Sequence, residues 1–109
     1  MARTIPLITK APYVSDLDKD LDDAEKTTWI LKPLDGLQHA DVMSTGLVNY
    51  RLALSFGLVD WQNLKDQNGR AVKFSQDSFK DIPAEYLVDI ASEIVDRSEL
   101  KDEQRKNSS

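Results

Sequence analysis

Thr27-Thr28-Trp29-Ile30-Leu31-Lys32-Pro33-Leu34, followed at once by Asp35-Gly36-Leu37, is the stretch that decides the fold. Its first half is β-branched and aromatic, which suits a pleated strand over 27–33. Pro33 has no N–H to give to a ladder, so it belongs at the strand's end or on an edge. Asp35 then offers its carboxylate to the free amides of a helix beginning near Gly36.

Reading downstream, Ala40, Met43, Leu47, Tyr50 and Leu54 follow Leu37 at steps of three or four. That spacing predicts a single amphipathic helix over 37–56. Gly46 weakens its middle, and Gly57 suits its stop. Beyond it, Leu58–Lys65 and Arg70–Phe74 flank Asp66-Gln67-Asn68-Gly69. Asn68 and Gly69 both tolerate positive φ, so a hairpin is read over 59–74. Ser75 can cap one helical turn through Phe79. Pro83 suits the first turn of another helix over 83–97, with Glu85 near its positive end. Leu87, Ile90, Ala91, Ile94 and Val95 are read as its buried stripe. The predicted fold is α+β and mainly α-helical, with two main helices packed on a small antiparallel sheet built from strand 27–33 and the hairpin.

Upstream, residues 1–15 hold Pro6 and Pro12 without a clear period and read as an extended N-terminal arm. Asp16, Asp18, Asp20, Asp22, Asp23 and Glu25 follow, opposed by Lys19 alone, as in a solvated loop or a short helix. A single globular domain is expected over 16–100, and a flexible polar tail over 101–109.

Composition narrows the function. A chain of 109 residues is about one domain. Its net charge of −5 disfavours nucleic acid and anionic membrane surfaces, both of which select basic faces. There is no cysteine, which excludes disulfides, thiolate zinc sites and cysteine nucleophiles. The first residues lack the apolar core of a signal peptide, and no apolar run is long enough for a membrane span.

Candidate sites for chemistry are sparse. His39 is the only histidine, with Asp35 and Met43 one helical turn to either side. No second imidazole or thiolate exists to complete a zinc set, so a surface histidine is expected. Aligning Gly69 with the invariant glycine of a calcium loop puts Leu64 at the first ligand position and Ser75 at the last, where glutamate is needed. A Ser-His-Asp triad would have to use His39, and nothing supports one. No phosphate-cradling glycine motif is present. The expectation is a non-enzymatic protein with no catalytic, metal or cofactor site.

Trp29, Tyr50, Phe56, Trp61, Phe74, Phe79 and Tyr86 should mostly be core, with one or two left as anchors for a partner. Leu47, Tyr50, Leu54, Leu87 and Ile94 are the candidate partner-binding residues on the two long helices. One apolar face of these helices is expected to stay partly exposed or to be covered by a second copy in a homo-oligomer, with burial in the core as the competing reading.

Two stretches, taken together, also resemble a known family. One is Thr28–Gly36 after its acidic segment. The other is Gly57-Leu58-Val59-Asp60-Trp61-Gln62-Asn63-Leu64 continuing through Asp66–Ser75, then Ile82–Leu87 and a charged tail ending Lys106-Asn107-Ser108. This order is similar to small proteins of tailed-bacteriophage morphogenesis clusters, and within them to tail-assembly chaperones. The resemblance covers roughly residues 13–109 and transfers no site residue. It implies a chaperone that binds the tape-measure protein in the cytoplasm of the infected bacterial host and keeps it soluble until tail-tube protein polymerises around it. It also implies a longer form made by ribosomal slippage, for which Lys106-Asn107 is a candidate codon pair. A head–tail connector or tail-completion subunit of the virion is the alternative.

Overall fold

β2 (Thr28–Leu31) forms where the β-branched run predicts it, and Pro33 lies just past its end. It is the middle strand of a three-stranded antiparallel sheet, between β1 (Ala11–Tyr13) and β3 (Leu58–Gln62). The computed structural model describes residues 10–107, with side chains through Glu99. Three α-helices complete the α+β fold: α1 (Gly36–Val42), α2 (Tyr50–Gly57) and α3 (Ala84–Asn107). Short 3-10 segments lie at Asp16–Asp18 and Gln76–Asp81.

The sheet differs from the expected one in its third strand. Ala11–Tyr13, read as part of the arm, pairs with Leu31–Trp29. The remainder of that arm, residues 1–9, lies outside the described residues. The far arm of the hairpin adds only the bridge between Lys65 and Ala71. Charge and proline guard both edges of this sheet. On β1, Pro12 has no N–H, and the Arg97 guanidinium donates to the Ala11 and Pro12 carbonyls. On β3, Asp60 Oδ1 accepts from the Trp61 amide at 2.8 Å. Features of this kind disfavour the addition of a further strand at a sheet edge.

The single helix expected over 37–56 is two helices. Asp35 caps α1 through a reciprocal capping box with Gln38. The chain then leaves helix at Ser44-Thr45-Gly46, where Gly46 adopts φ +82°. Asn49 restarts it, its side chain accepting from the Leu52 amide at 3.1 Å. The periodic series ran across this break by coincidence. The side chains that α1 and α2 bury are Val42, Ala53 and Leu54.

α3 continues to Asn107, well beyond the expected end at 97 and into the stretch read as a polar tail. Its buried face is Ile90, Ala91, Ile94 and Val95, as the stripe predicts, with Leu87 half-buried. Trp29, Leu31, Leu34, Leu58 and Trp61 belong to the same buried cluster. Trp29 and Trp61 sit opposite each other in the β2–β3 ladder, edge to face at 5.9 Å. Trp61 also touches Phe74 at 4.9 Å and donates its indole N–H to the Val72 carbonyl at 2.8 Å. The segment after β3 is thereby held by an aromatic cluster, although it forms little sheet.

The Asp66–Gly69 turn is present, with Gly69 at φ +79° and Asn68 outside the left-handed region. Asp66 Oδ1 accepts from the amides of Asn68 and Arg70, at 2.9 and 3.0 Å. A Cβ on Gly69 meets nothing within 4 Å, so any cost of Gly69→Ala comes from its backbone alone. That substitution should lower stability by about 1 kcal/mol, read from the urea midpoint. An unchanged midpoint would contradict the left-handed assignment.

Candidate protein-binding surface

Two features could carry function: a polar seam along α3 and the apolar side chains that stay outside the core. The seam joins the N-terminal segment to one stripe of α3. Tyr13 Oη and Ser15 Oγ both donate to Asp89 Oδ2, at 2.8 and 2.6 Å. Tyr86 Oη donates to Asp18 Oδ1 at 2.6 Å. Arg97, paired with Glu93 at 2.9 Å, lies over the Tyr13 ring and holds the β1 carbonyls. Tyr86, Asp89, Glu93 and Arg97 recur every three or four residues, which places them on one face of the helix.

These contacts make the tyrosines poor acids. Burial, then the bond to Asp89, raises the Tyr13 phenol above its ordinary range. The bond to Asp18, then burial, pushes Tyr86 up to about 12 from 10.0. A group whose folded value is raised contributes stability fully present below its unfolded value and lost as pH climbs through the folded one. The Tyr86 contribution should therefore hold below pH 10 and decay toward pH 12. Urea midpoints measured across that range should fall less steeply for Tyr86→Phe than for the parent. Parallel curves would show that the Tyr86–Asp18 bond is not linked to folding.

The seam holds elements together and offers no assembled reactive group. Ser15 and Asp89 are bonded, yet His39 is elsewhere. Its Nε2 lies 3.7 Å from Glu99 Oε1, ten positions along α3 from Asp89 and so about 15 Å away along its axis. Among the described residues, no group of three or more His, Asp or Glu is placed to hold a metal ion. Asp66, the one acid of the calcium-like stretch, is committed to its own turn.

The five candidate partner residues divide. Leu54 and Ile94 are core, at 5% and 0% exposure, so neither belongs to a contact surface of the single chain. The reason is the broken helix: α2 turns Ala53 and Leu54 onto α3 instead of continuing the stripe of Leu47. Leu87 is half-buried against the core. Leu47 and Tyr50 are exposed, and Leu37, at 81% exposure, joins them on the same α1–loop–α2 unit. Leu37 lies in the first turn of α1, Leu47 sits in the loop, and Tyr50 opens α2. Three large apolar side chains are thus left in water within one short unit of the chain.

Reasoning from the sequence missed a second set, Val14, Leu17 and Leu21, which are also exposed. Their steps of three and four were legible, but the surrounding aspartates drew the reading to a solvated loop. Comparisons of this chain with family models, with curated proteins and with solved structures give no match.

Proposed function

We propose that this chain is a non-catalytic protein-binding factor and that it serves as a tail-assembly chaperone of a tailed bacteriophage, acting in the cytoplasm of the infected host. The observation that supports binding is the exposure of Leu37, Leu47 and Tyr50 on the α1–loop–α2 unit. The resemblance of Thr28–Gly36 and Gly57–Ser75 to such chaperones supplies the partner. A tape-measure protein is long, helical and rich in apolar positions. A small acidic body with a few apolar side chains can cover some of those positions and keep the complex soluble through its net charge of −5.

The experiment is co-expression with the tape-measure and tail-tube proteins of the same gene cluster. The tape-measure protein should be soluble and co-purify with this chain, and purified virions should lack it. Leu47→Ser with Tyr50→Ala should cut co-purification at least tenfold, about 1.4 kcal/mol of binding. Both side chains are exposed, so the unfolding midpoint should stay within about 0.5 kcal/mol of the parent. A fixed copy number in virions would instead identify a head–tail connector or tail-completion subunit.

A further inference from the structure

The segment Val14–Glu25 buries two of its polar side chains while its large apolar ones stay outside the core. It winds through the 3-10 turn Asp16–Asp18 and a following turn in which the Leu21 amide donates to the Asp18 carbonyl at 2.9 Å. Its polar Ser15 and Asp18 point inward, at 1% and 3% exposure, onto Asp89 and Tyr86 of α3. Its apolar Val14, Leu17 and Leu21 point outward, at 41–47% exposure. Water favours aspartate over leucine, so the burial of Asp18 beside exposed leucines runs against the usual preference and rests on its partner in α3. The α3 seam holds Ser15 and Asp18 inward and leaves Val14, Leu17 and Leu21, three and four residues apart in sequence, outside the core.

The exposed charges of this segment are nearly all of one sign. Asp16, Asp20, Asp22, Asp23 and Glu25 are all exposed, and Lys19 is the single exposed cation among them. Asp23 is paired with Lys26 at 3.4 Å, whereas Asp16, Asp20, Asp22 and Glu25 make no ion pair among the described residues. A second copy of the chain would bring the same acids against these, at a repulsive cost. An anionic membrane is opposed for the same reason.

We propose that Val14, Leu17 and Leu21, with their acidic rim, form a docking surface for a cationic amphipathic helix of another protein. The leucines of that helix cover these side chains, and its flanking lysines or arginines meet the aspartates. Val14, Leu17 and Leu21 lie on a different segment of the chain from Leu37, Leu47 and Tyr50, and their role does not depend on the chaperone assignment.

The probe is a designed Leu/Lys amphipathic peptide of about 18 residues, five turns of helix, titrated into the full chain by fluorescence anisotropy. A scrambled peptide of the same composition, without a helical apolar face, should bind at least tenfold more weakly. Leu17→Ser with Leu21→Ser should lose at least tenfold at unchanged thermal stability. Asp16→Asn with Asp20→Asn and Asp22→Asn should weaken binding and flatten its salt dependence. Equal binding of the scrambled peptide would overturn the proposal, because charge alone would then explain the affinity. Undiminished binding to the leucine variant would overturn it by placing the peptide elsewhere. Self-association of the parent chain that the leucine variant abolishes would also overturn it, as a contact between copies. The Leu47 and Tyr50 variant is carried through the same titration and should bind the peptide normally, which separates this surface from the other.

Discussion

Gly57→Ala should destabilise the protein by about 1–3 kcal/mol, the usual cost of forcing a methyl into a packed core. The sign is the informative part. Gly57 is the last residue of α2 and does not have a positive φ, so backbone propensity alone would make alanine the better residue. The obstacle is Ile94. A Cβ at position 57 would lie 2.5 Å from Ile94 Cγ2 and 2.8 Å from its Cδ1. Ile94 is β-branched, fully buried and fixed in the middle of α3, so it has little room to yield. Ile94→Ala on its own should cost about 2–5 kcal/mol through the cavity it leaves. Combined, the two should cost clearly less than their sum, since each removes the other's problem. Additive losses, or a stabilising Gly57→Ala, would mean that α2 and α3 are not in contact there.

Asp89→Ala should produce the second large effect, about 2–4 kcal/mol, because one charged acceptor serves both Tyr13 and the fully buried Ser15. The loss should be local first. β1 and the turn at 15–18 should gain amide exchange before α2 or the β2–β3 ladder does. Asp89→Asn, which keeps an oxygen in nearly the same place, should retain part of the stability. Uniform loss of protection along the chain would instead make the seam an inseparable part of the core.

Much of this architecture was readable in the residues, and the failures share a cause. β2, the Asp35 cap, the Gly69 turn, the Ser75 cap and the α3 stripe were legible because each is decided within a few residues. The break between α1 and α2 was harder, because apolar spacing carries over a turn if the turn happens to have the right length. β1 was not legible at all. Three residues with a proline have no strand signature, and the strand exists because Arg97 and the Leu31 edge of β2 secure it from far along the chain. The same distance hid the segment at 14–25, whose buried Ser15 and Asp18 are held by Asp89 and Tyr86. Of the candidate surface, Leu47 and Tyr50 could be named from spacing and Ile94 already belonged to the stripe read as buried, but Leu54 could not be told from a contact residue until the helix break set which way α2 faces. Gly57 was read correctly as a stop but for a local reason, whereas its importance lies in a neighbour across the core.

The long reach of these anchors also fixes an order of events at the ribosome. The hydroxyls of Tyr13 and Ser15 wait for a partner made 76 and 74 residues later, and the Pro12 carbonyl for one made 85 residues later. The first described segment to emerge is therefore the last to be secured. Until α3 has cleared the exit tunnel, β1 lacks the Arg97 guanidinium on its carbonyls, and Ser15 and Asp18 lack the partners that hold them inward. A nascent chain stalled before α3 should be open to protease around residues 11–25, and the same chain released after α3 should be resistant there.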